Sequence, residues 1–240
     1  MMDKIFKIFV DFDGTISKED VGESIFREFG DKEIVNSIIA RLLNDEISAK
    51  ECWLLLCNSI EKIDLAKLEI FIDKLEIDST FKTLDKYCAN NNIQLIVLSD
   101  GFDLYINRIF EREKLNHLKV YSNKLEIDEN NHLIPVFPYF DVNCSTSANC
   151  KRNHIINLSS DDDFTVFIGD GNSDKYPVQF CYFIFAKEDL LKFCELERIT
   201  YFPYRNFDDV ILKIEQLKSK KRLKKRHQAE LKRKEIYTAE

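Results

Sequence analysis

The sequence predicts an α/β fold, in which helices cover a parallel sheet, from three observations. Short apolar runs rich in β-branched and aromatic residues recur along the chain, as expected of strands that are buried on both faces. Helical patterns lie between these runs. Four of the six glycines closely follow a run, where a chain leaves a strand and turns: Gly14, Gly101, Gly169 and Gly171.

The apolar runs and the helical periodicity together assign most elements in chain order. Strands are predicted at residues 5–10, 93–98, 164–168 and 182–185. Helices are predicted at Glu19–Phe29, Lys32–Leu43, Ala49–Ile60 and Leu65–Lys74, then at residues 78–92 and Ala148–Leu158, with a β-hairpin between residues 118 and 138. The connection between the first two strands is too long for one crossover helix, so we expect a small helical cap there.

Composition places limits on the class of protein. With 240 residues and 45% apolar side chains, the chain can bury a sizeable core. No window holds the roughly 18 apolar residues that cross a bilayer, and the N-terminus has no small-residue cleavage site. Seven cysteines without CxxC spacing favour reduced thiols over a disulfide framework. We therefore expect a soluble, unprocessed, cytoplasmic protein.

Charge is distributed unevenly. Residues 218–234 carry a charge of +9 within a chain of net charge −7, so the remainder carries −16. Overall charge therefore excludes nucleic-acid binding by the body of the protein. The first interpretation of the basic segment is a solvated extension of the last helix, and the second is contact with nucleic acid or an anionic membrane. We expect removal of residues 218–240, which lie beyond the last motif, to leave kcat nearly unchanged.

Two loops at predicted strand ends carry chemical groups. Asp11 and Asp13 follow the first strand, at the edge where parallel α/β sheets bind ligands. From this loop alone, a solvated acidic turn is an equally good interpretation. Ser99, Asp100 and Gly101 follow the second strand, where a hydroxyl and backbone N–H groups suit a phosphate oxygen.

Two further segments add a cation and more carboxylates. Lys151 lies near the start of a predicted helix, and taken alone it reads as an exposed lysine. Asp170 and Asp174 follow the third strand, beside glycines that let the backbone approach a ligand. Magnesium prefers a few carboxylates together with water and phosphate oxygens. The four segments together therefore indicate a phosphate and magnesium site.

In this order, the four segments resemble the four motifs of haloacid dehalogenase superfamily phosphatases, and the likeness spans residues 5 to about 215. The resemblance implies a Rossmann-like parallel sheet core with a small helical cap inserted between motifs one and two. The implied domains are residues 1–15 and 77–217 for the core, 16–76 for the cap, and 218–240 for a basic helical tail.

The resemblance also implies roles for individual residues. Asp11 would attack phosphorus and form an aspartyl phosphate, while Asp13 would act as general acid and base, helped by a pKa that neighbouring negative charge raises. The phosphoryl oxygens would be held by Ser99, the backbone N–H of Asp100, and Lys151. The implied ligands of Mg²⁺ are the Asp11 carboxylate, the Asp13 backbone carbonyl and Asp170, with Asp174 supporting them.

The helical insert is similar to the cap of the phosphoserine-phosphatase-like branch, where Asp20 would occupy an acid position. The matching cap helix, Glu51–Cys57, contains no arginine to pair with a substrate carboxylate, so a wall of Trp53 and leucines suits a less charged leaving group. Over residues 99–103 and 169–211, the closer resemblance is to the methionine-salvage branch, which hydrolyses hydroxy-keto-methylthiopentenyl phosphate.

The function implied is therefore Mg²⁺-dependent hydrolysis of a small phosphorylated metabolite. A phosphoserine phosphatase is the alternative within the superfamily. A non-catalytic binding protein, with a tail that contacts nucleic acid or a membrane, is the alternative of another class. Asp100 departs from the family pattern, where glycine is common, and its carboxylate is expected to point away from the phosphate.

Overall fold

A computed structural model describes residues 5–144 and 147–239. Seven strands and ten α-helices are present in this part of the chain. The strands are β1 (Phe6–Val10), β2 (Gln94–Phe102), β3 (Lys119–Ile127), β4 (Leu133–Val136), β5 (Phe164–Gly169), β6 (Phe183–Ala186) and β7 (Phe202–Pro203). The helices are α1 (Val21–Phe29), α2 (Lys32–Leu43), α3 (Ala49–Asn58), α4 (Leu65–Ile72), α5 (Phe81–Asn90), α6 (Asp103–Glu113), α7 (Lys151–Leu158), α8 (Glu188–Leu196), α9 (Phe207–Ser219) and α10 (His227–Ala239).

The strands form one mostly parallel sheet in the order β4-β3-β2-β1-β5-β6-β7. Strand β1 pairs in parallel with β2 and β5, while β3 and β4 form the antiparallel hairpin. Ile8, Phe9 and Val10 are fully buried, so this central strand is apolar on both faces. The predicted α/β fold is confirmed, and so are the four predicted strands as β1, β2, β5 and β6.

Several boundaries differ from the predictions, and two of them lie beside predicted site residues. Strand β2 continues to Phe102, four residues past its predicted end, and α7 begins at Lys151 rather than Ala148. In both segments a backbone N–H donates to a side-chain oxygen. Gly101 N donates to Ser99 Oγ at 2.9 Å, and Asn149 N donates to Asp100 Oδ1 at 2.7 Å. Such local competition is not visible in hydrophobic periodicity.

The chain divides into two compact units. The first comprises Met1–Ile16, Ile77–Leu98 and Lys151–Glu240, and the second comprises Ser17–Glu76 and Ser99–Cys150. The helices expected for a cap, α1 to α4, lie in the second unit. The division into core, cap and tail domains stays a prediction.

Side-chain caps define the starts of α1 to α4. Asp20, Asp31 and Asp64 each accept a hydrogen bond from a backbone N–H in the first turn of the helix that follows. Ser48 and Glu51 form a reciprocal capping box at α3. These helices therefore begin where the sequence supplies an oxygen for otherwise unpaired N–H groups.

Helix α10 packs on the first unit, against the 3₁₀ turn Pro177–Phe180. Ala229 and Arg233 are fully buried, and Arg226 is half-buried. The interpretation of residues 218–234 as a solvated extension of the last helix is therefore wrong, because α9 ends at Ser219 and a separate helix that packs on the first unit begins at His227. Contact of this segment with nucleic acid or a membrane stays a prediction.

The two arginines bind backbone carbonyl groups. The Arg226 guanidinium donates to the carbonyls of three residues at 2.7–3.1 Å: Val178, Gln179 and Cys181. Arg233 donates to the carbonyl and the hydroxyl of Ser159 at 3.3 and 3.0 Å. The guanidinium groups thus bind carbonyls in and beside the 3₁₀ turn and just after α7, and the Val178 carbonyl also accepts from the Cys181 N–H at 3.2 Å.

Removal of residues 221–240 is expected to lower the Tm by at least about 10 °C, because it exposes the surface under α10 and removes the hydrogen bonds of Arg226 and Arg233 to these carbonyls. Thermal unfolding of the full and shortened chains measures the difference. Arg222→Ala is the matched control, since this exposed side chain lies in the same segment and should leave the Tm unchanged. A shortened chain with the Tm of the full chain would show that α10 contributes no stability.

None of the helices among residues 5–144 and 147–239 is both long and apolar enough to cross a bilayer.

All seven cysteines are free and buried, as expected from their spacing.

Candidate active site

Asp11 and Asp170 meet because they follow neighbouring parallel strands. Val10, the last residue of β1, is in register with Ile168 of β5. The Asp11 N–H donates to the Ile168 carbonyl at 2.9 Å, which extends the pairing by one residue. Both carboxylates therefore lie at the carboxyl edge of the sheet, as the sequence predicted for this loop pair.

Asp174 completes a cluster of three carboxylates. Asp11, Asp170 and Asp174 each offer an oxygen, and these oxygens all lie within 4.8 Å of one another. Asp11 and Asp174 are buried, and Asp170 is half-buried. Like charges at such separations repel strongly in a buried site, so the cluster needs a cation to be stable in its ionised form.

Glycine is required at two positions that face this cluster. Gly14 has φ +72°, and a Cβ there would lie 2.4 Å from Asp170 Oδ2. A Cβ on Gly169 would lie 2.2 Å from Asp174 Oδ2. These glycines, which the sequence singled out as turn residues, therefore also give the carboxylates their space.

Lys151 supplies a cation to the cluster. Its Nζ donates to Asp11 Oδ1 at 2.5 Å, to Asp174 Oδ1 at 2.7 Å and to Ser173 Oγ at 2.9 Å. The side chain is fully buried. The interpretation of Lys151 as a lone exposed lysine is therefore excluded.

The electrostatics follow from burial and from this crowding. Burial, together with the negative charge of Asp174, raises the pKa of Asp11 well above its ordinary value, against the opposing effect of Lys151. Burial and Asp174 raise the pKa of Asp170 from 3.8 to about 6. Burial alone would lower the pKa of Lys151, but Asp11 and Asp174 outweigh it and raise this pKa. The lysine is therefore protonated, while the carboxyl groups of Asp11 and Asp170 bind protons more tightly than exposed ones would.

Two hydroxyl groups support the acidic loop. Thr15 Oγ1 donates to Asp170 Oδ1 at 2.6 Å, and the buried Tyr204 hydroxyl donates to the Gly169 carbonyl at 3.4 Å. Thr15 belongs to the first motif, but no role was predicted for it. Tyr204 lies within residues 169–211, over which the chain resembles the methionine-salvage branch, but no role was predicted for it. Its role has no signal in local spacing, because it comes from a segment 35 residues further along the chain.

The other predicted core residues lie as follows. Asp13 is half-buried in the turn after β1, and its charge contributes to the raised pKa of Asp11. Ser99 is fully buried in the second unit. The Asp100 carboxylate accepts a hydrogen bond from the Asn149 N–H at 2.7 Å. Its expected orientation away from the phosphate stays a prediction.

The predicted cap residues are in the second unit. Asp20 caps α1 by accepting from the Glu23 N–H at 2.7 Å. Trp53 is half-buried, with its ring centroid 4.7 Å from that of Phe102 and 5.9 Å from that of Phe26. A Cβ on Gly22 would lie 2.6 Å from the Trp53 ring, so a glycine gives the indole its place. A substrate-binding role for Asp20 and Trp53 stays a prediction.

The cluster fits a divalent magnesium ion. Its donors are carboxylate oxygens, which Mg²⁺ prefers, and they converge within 4.8 Å. Burial is the main cause of the raised pKa values of Asp11 and Asp170, but Asp174 also raises both by more than Lys151 lowers them, so one lysine leaves negative charge at the site. Asp174 Oδ2 also accepts from the N–H groups of Asp170 and Gly171, at 3.1 and 3.3 Å, which leaves Asp11 and Asp170 as the better side-chain ligands.

A parallel α/β sheet with this constellation of an aspartate after β1, a buried lysine and an acidic loop defines a phosphatase of the haloacid dehalogenase superfamily. The family described as "Putative Phosphatase" matches residues 6–189, and the chain belongs to this family. The protein is a phosphomonoester hydrolase.

Known proteins agree with this assignment. The chain is 31% identical over 216 residues to a 2-hydroxy-3-keto-5-methylthiopentenyl-1-phosphate phosphatase of Bacillus mycoides (strain KBAB4), with 88% of this chain and 96% of the relative covered. A substrate-bound phosphoserine phosphatase has a TM-score of 0.69 at 19% identity, covering 88% and 99% of the two chains. A cytosolic 5′-nucleotidase IIIB bound to cytidine has a TM-score of 0.57 at 15% identity, covering 95% and 87%. The last two likenesses support the fold.

Proposed function

We propose that the protein is a Mg²⁺-dependent phosphatase that hydrolyses a small phosphate monoester through an aspartyl phosphate on Asp11. The observation that carries the proposal is the contact of the Asp11 carboxylate with the buried Lys151 ammonium at 2.5 Å, beside two further carboxylates. A carboxylate held in this way is oriented as a nucleophile, and a fixed cation beside it suits phosphoryl oxygens.

In the proposed reaction, a carboxylate oxygen of Asp11 attacks phosphorus as the bond from phosphorus to the ester oxygen breaks. Asp13 gives its proton to the leaving oxygen, then takes a proton from the water that attacks the aspartyl phosphate, which releases inorganic phosphate and restores Asp11. Lys151 holds phosphoryl oxygens throughout. When bound by Asp11, Asp170 and the Asp13 carbonyl, Mg²⁺ would supply positive charge against the phosphoryl group.

We propose a leaving group of low charge, as in the methylthiopentenyl phosphate that the Bacillus relative is named for. Two facts from the second unit support this choice. Trp53 presents a half-buried indole packed on Phe26 and Phe102. Arg27 and Arg41, which lie on α1 and α2, have acidic partners, since Arg27 contacts Glu23 at 2.6 Å and Arg41 lies 4.0 Å from Glu46. Burying the carboxylate of phosphoserine beside such a wall is unfavourable.

The proposal is tested by kcat/KM values, with Mg²⁺, for an aryl phosphate, phosphoserine, sugar phosphates, nucleotides and the methylthio enol phosphate. We expect the methylthio compound to exceed phosphoserine at least about 100-fold, since an uncompensated buried charge costs several kcal/mol. A hundredfold preference for phosphoserine would favour the alternative within the superfamily. Absence of turnover with every ester, including the aryl phosphate, would overturn the catalytic proposal.

A pH dependence of metal binding follows from the raised pKa of Asp170. Its folded-state pKa is about 6 against an ordinary 3.8, so the folded protein binds this proton more tightly than the unfolded chain does. The protonated Asp170 carboxyl contributes its full stabilisation of the folded state below pH 3.8, and this contribution is lost as the pH rises through 6. Because Mg²⁺ needs the ionised carboxylate, we expect Mg²⁺ to raise the Tm more at pH 7.5 than at pH 5.

Asp170→Asn is expected to remove most of this response and to raise the Tm of the metal-free protein at pH 7.5 by a few degrees, about 2–4 °C for each kcal/mol relieved. Asp163→Asn is the matched control. Hydrogen bonds from the Ser160 N–H and Lys7 outweigh burial and lower the pKa of Asp163, so this variant should lose stability at neutral pH and keep the Mg²⁺ response. An equal response to Mg²⁺ in Asp170→Asn and Asp163→Asn would exclude Asp170 as a ligand.

A further inference from the structure

Hydrogen bonds from both its side chain and its backbone hold Asn149, which lies two residues before Lys151. Its side-chain Nδ2 donates to the Ser99 carbonyl at 2.8 Å and to the Tyr121 carbonyl at 2.9 Å. Its backbone N–H donates to Asp100 Oδ1 at 2.7 Å. Asn149 is fully buried, and all four residues belong to the second unit. One residue is thus fixed both through its side chain and through its backbone.

Asp100 is itself held in place. Its backbone carbonyl accepts from Asn123 Nδ2 at 2.6 Å, and Asn123 is fully buried. Its carboxylate therefore projects from an anchored segment at the end of β2. A charged oxygen that accepts a backbone N–H forms a stronger hydrogen bond than a neutral acceptor does. The Asp100 carboxylate can therefore hold the Asn149 N–H, which a glycine at this position could not do.

The position of Lys151 depends on this contact through the chain. Lys151 is the first residue of α7 and follows Asn149 by two peptide units, a reach of about 7 Å. Its Nζ meets three acceptors within 2.5–2.9 Å, so it tolerates little displacement. A misplacement of about 1 Å in a positioned catalytic group can cost about 100-fold in rate.

We propose that Asp100 and Asn149 form a brace that fixes the start of α7 and thereby positions Lys151. The inference rests on the proposed function, because it gives the brace a role in phosphoryl transfer. Asp100 and Asn149 are positioning residues, since they act through Lys151. The brace also accounts for an aspartate where relatives of this superfamily commonly have glycine.

Asp100→Ala, Asp100→Asn and Asp103→Ala are compared by kcat and KM on an aryl phosphate with Mg²⁺, by Tm, and by amide hydrogen exchange. Asp103→Ala is the matched control, because the Asp103 carboxylate also accepts a backbone N–H, that of Leu125 at 3.1 Å, but on β3. Exchange is measured on peptides that cover residues 149–155, and it reports the start of α7 without any need for turnover.

We expect Asp100→Ala to lower kcat by about 10- to 100-fold and to speed exchange at the start of α7, with a change in Tm similar to that of Asp103→Ala. Asp100→Asn should restore kcat to within a few-fold, because its amide oxygen can accept the same N–H. The brace is overturned if Asp100→Ala matches Asp103→Ala in both kcat and exchange, or if Asp100→Asn is as poor as Asp100→Ala. Absence of turnover in the wild-type protein would refute the proposed function. Even then, faster exchange at the start of α7 in Asp100→Ala but not in Asp103→Ala would support the brace.

Discussion

Asp11→Asn is expected to lower kcat on an aryl phosphate with Mg²⁺ by at least about 10³-fold, which corresponds to roughly 4 kcal/mol of transition-state stabilisation. The amide is a poor nucleophile, and the variant also loses one negative charge of the proposed metal site. Its remaining carbonyl oxygen can still accept from Lys151, whose Nζ lies 2.5 Å from Asp11 Oδ1. The fold should therefore be kept while the chemistry is lost.

Asp163→Asn serves as the control for this experiment as well. It makes the same substitution at a buried carboxylate of the same unit, where Asp163 pairs with Lys7 at 3.0 Å. Its turnover should match that of the wild type, although its Tm falls. In the Asp11 variant the Tm of the metal-free protein should not fall at neutral pH, because the raised pKa of Asp11 marks an unfavourable ionised carboxylate.

Mass spectrometry of acid-quenched turnover mixtures gives a second readout. A phosphoryl adduct is expected on the peptide that contains Asp11 in the wild type and not in Asp11→Asn. If the variant keeps a tenth of the wild-type kcat, or if the adduct persists in it, a covalent intermediate on this residue is wrong.

The residues at the strand ends were predictable because they depend on local signals. A run of apolar residues fixes β1, and the two aspartates that follow it lie at the edge where parallel sheets bind ligands. The pairing of β1 with β5 then brings Asp170 to Asp11. The α/β fold needed little more than the alternation of buried strands with helical patterns.

The supporting contacts were not predictable because they join distant parts of the chain. The partners of Asn149 lie 50 residues away at Ser99 and 28 residues away at Tyr121, and no local pattern records such pairs. The hydrogen bonds of Arg226 and Arg233 could not be predicted for another reason. Composition alone predicts that a run of lysine and arginine is solvated, yet a guanidinium can be buried when carbonyl groups accept its hydrogen bonds.

Lys151→Met is expected to lower the Tm of the metal-free protein by about 10 °C at pH 7.5, since breaking a buried ion pair costs about 3–5 kcal/mol. The substitution keeps the unbranched side chain and removes the ammonium that contacts Asp11 and Asp174. The deficit should shrink as the pH falls toward 5, because the carboxyl groups of Asp11 and Asp170, whose pKa values are raised, then take up protons.

Addition of Mg²⁺ distinguishes the effect of Lys151→Met on stability from its effect on turnover. Without the lysine, the three carboxylates carry more uncompensated charge, so Mg²⁺ should raise the Tm of Lys151→Met more than that of the wild type. Turnover should not recover: kcat with saturating Mg²⁺ is expected to stay at least about 100-fold below the wild type, because the cation proposed to hold phosphoryl oxygens is missing.

Lys7→Met is the matched control for this last experiment. It removes the partner of Asp163, a buried carboxylate in the same unit that is not among the three clustered acids. It should also lower the Tm, but the loss should be insensitive to Mg²⁺ and kcat should be unchanged. Equal kcat values for Lys151→Met and Lys7→Met would exclude Lys151 from catalysis. Equal Mg²⁺ responses would show that the lysine does not balance the charge of the metal site.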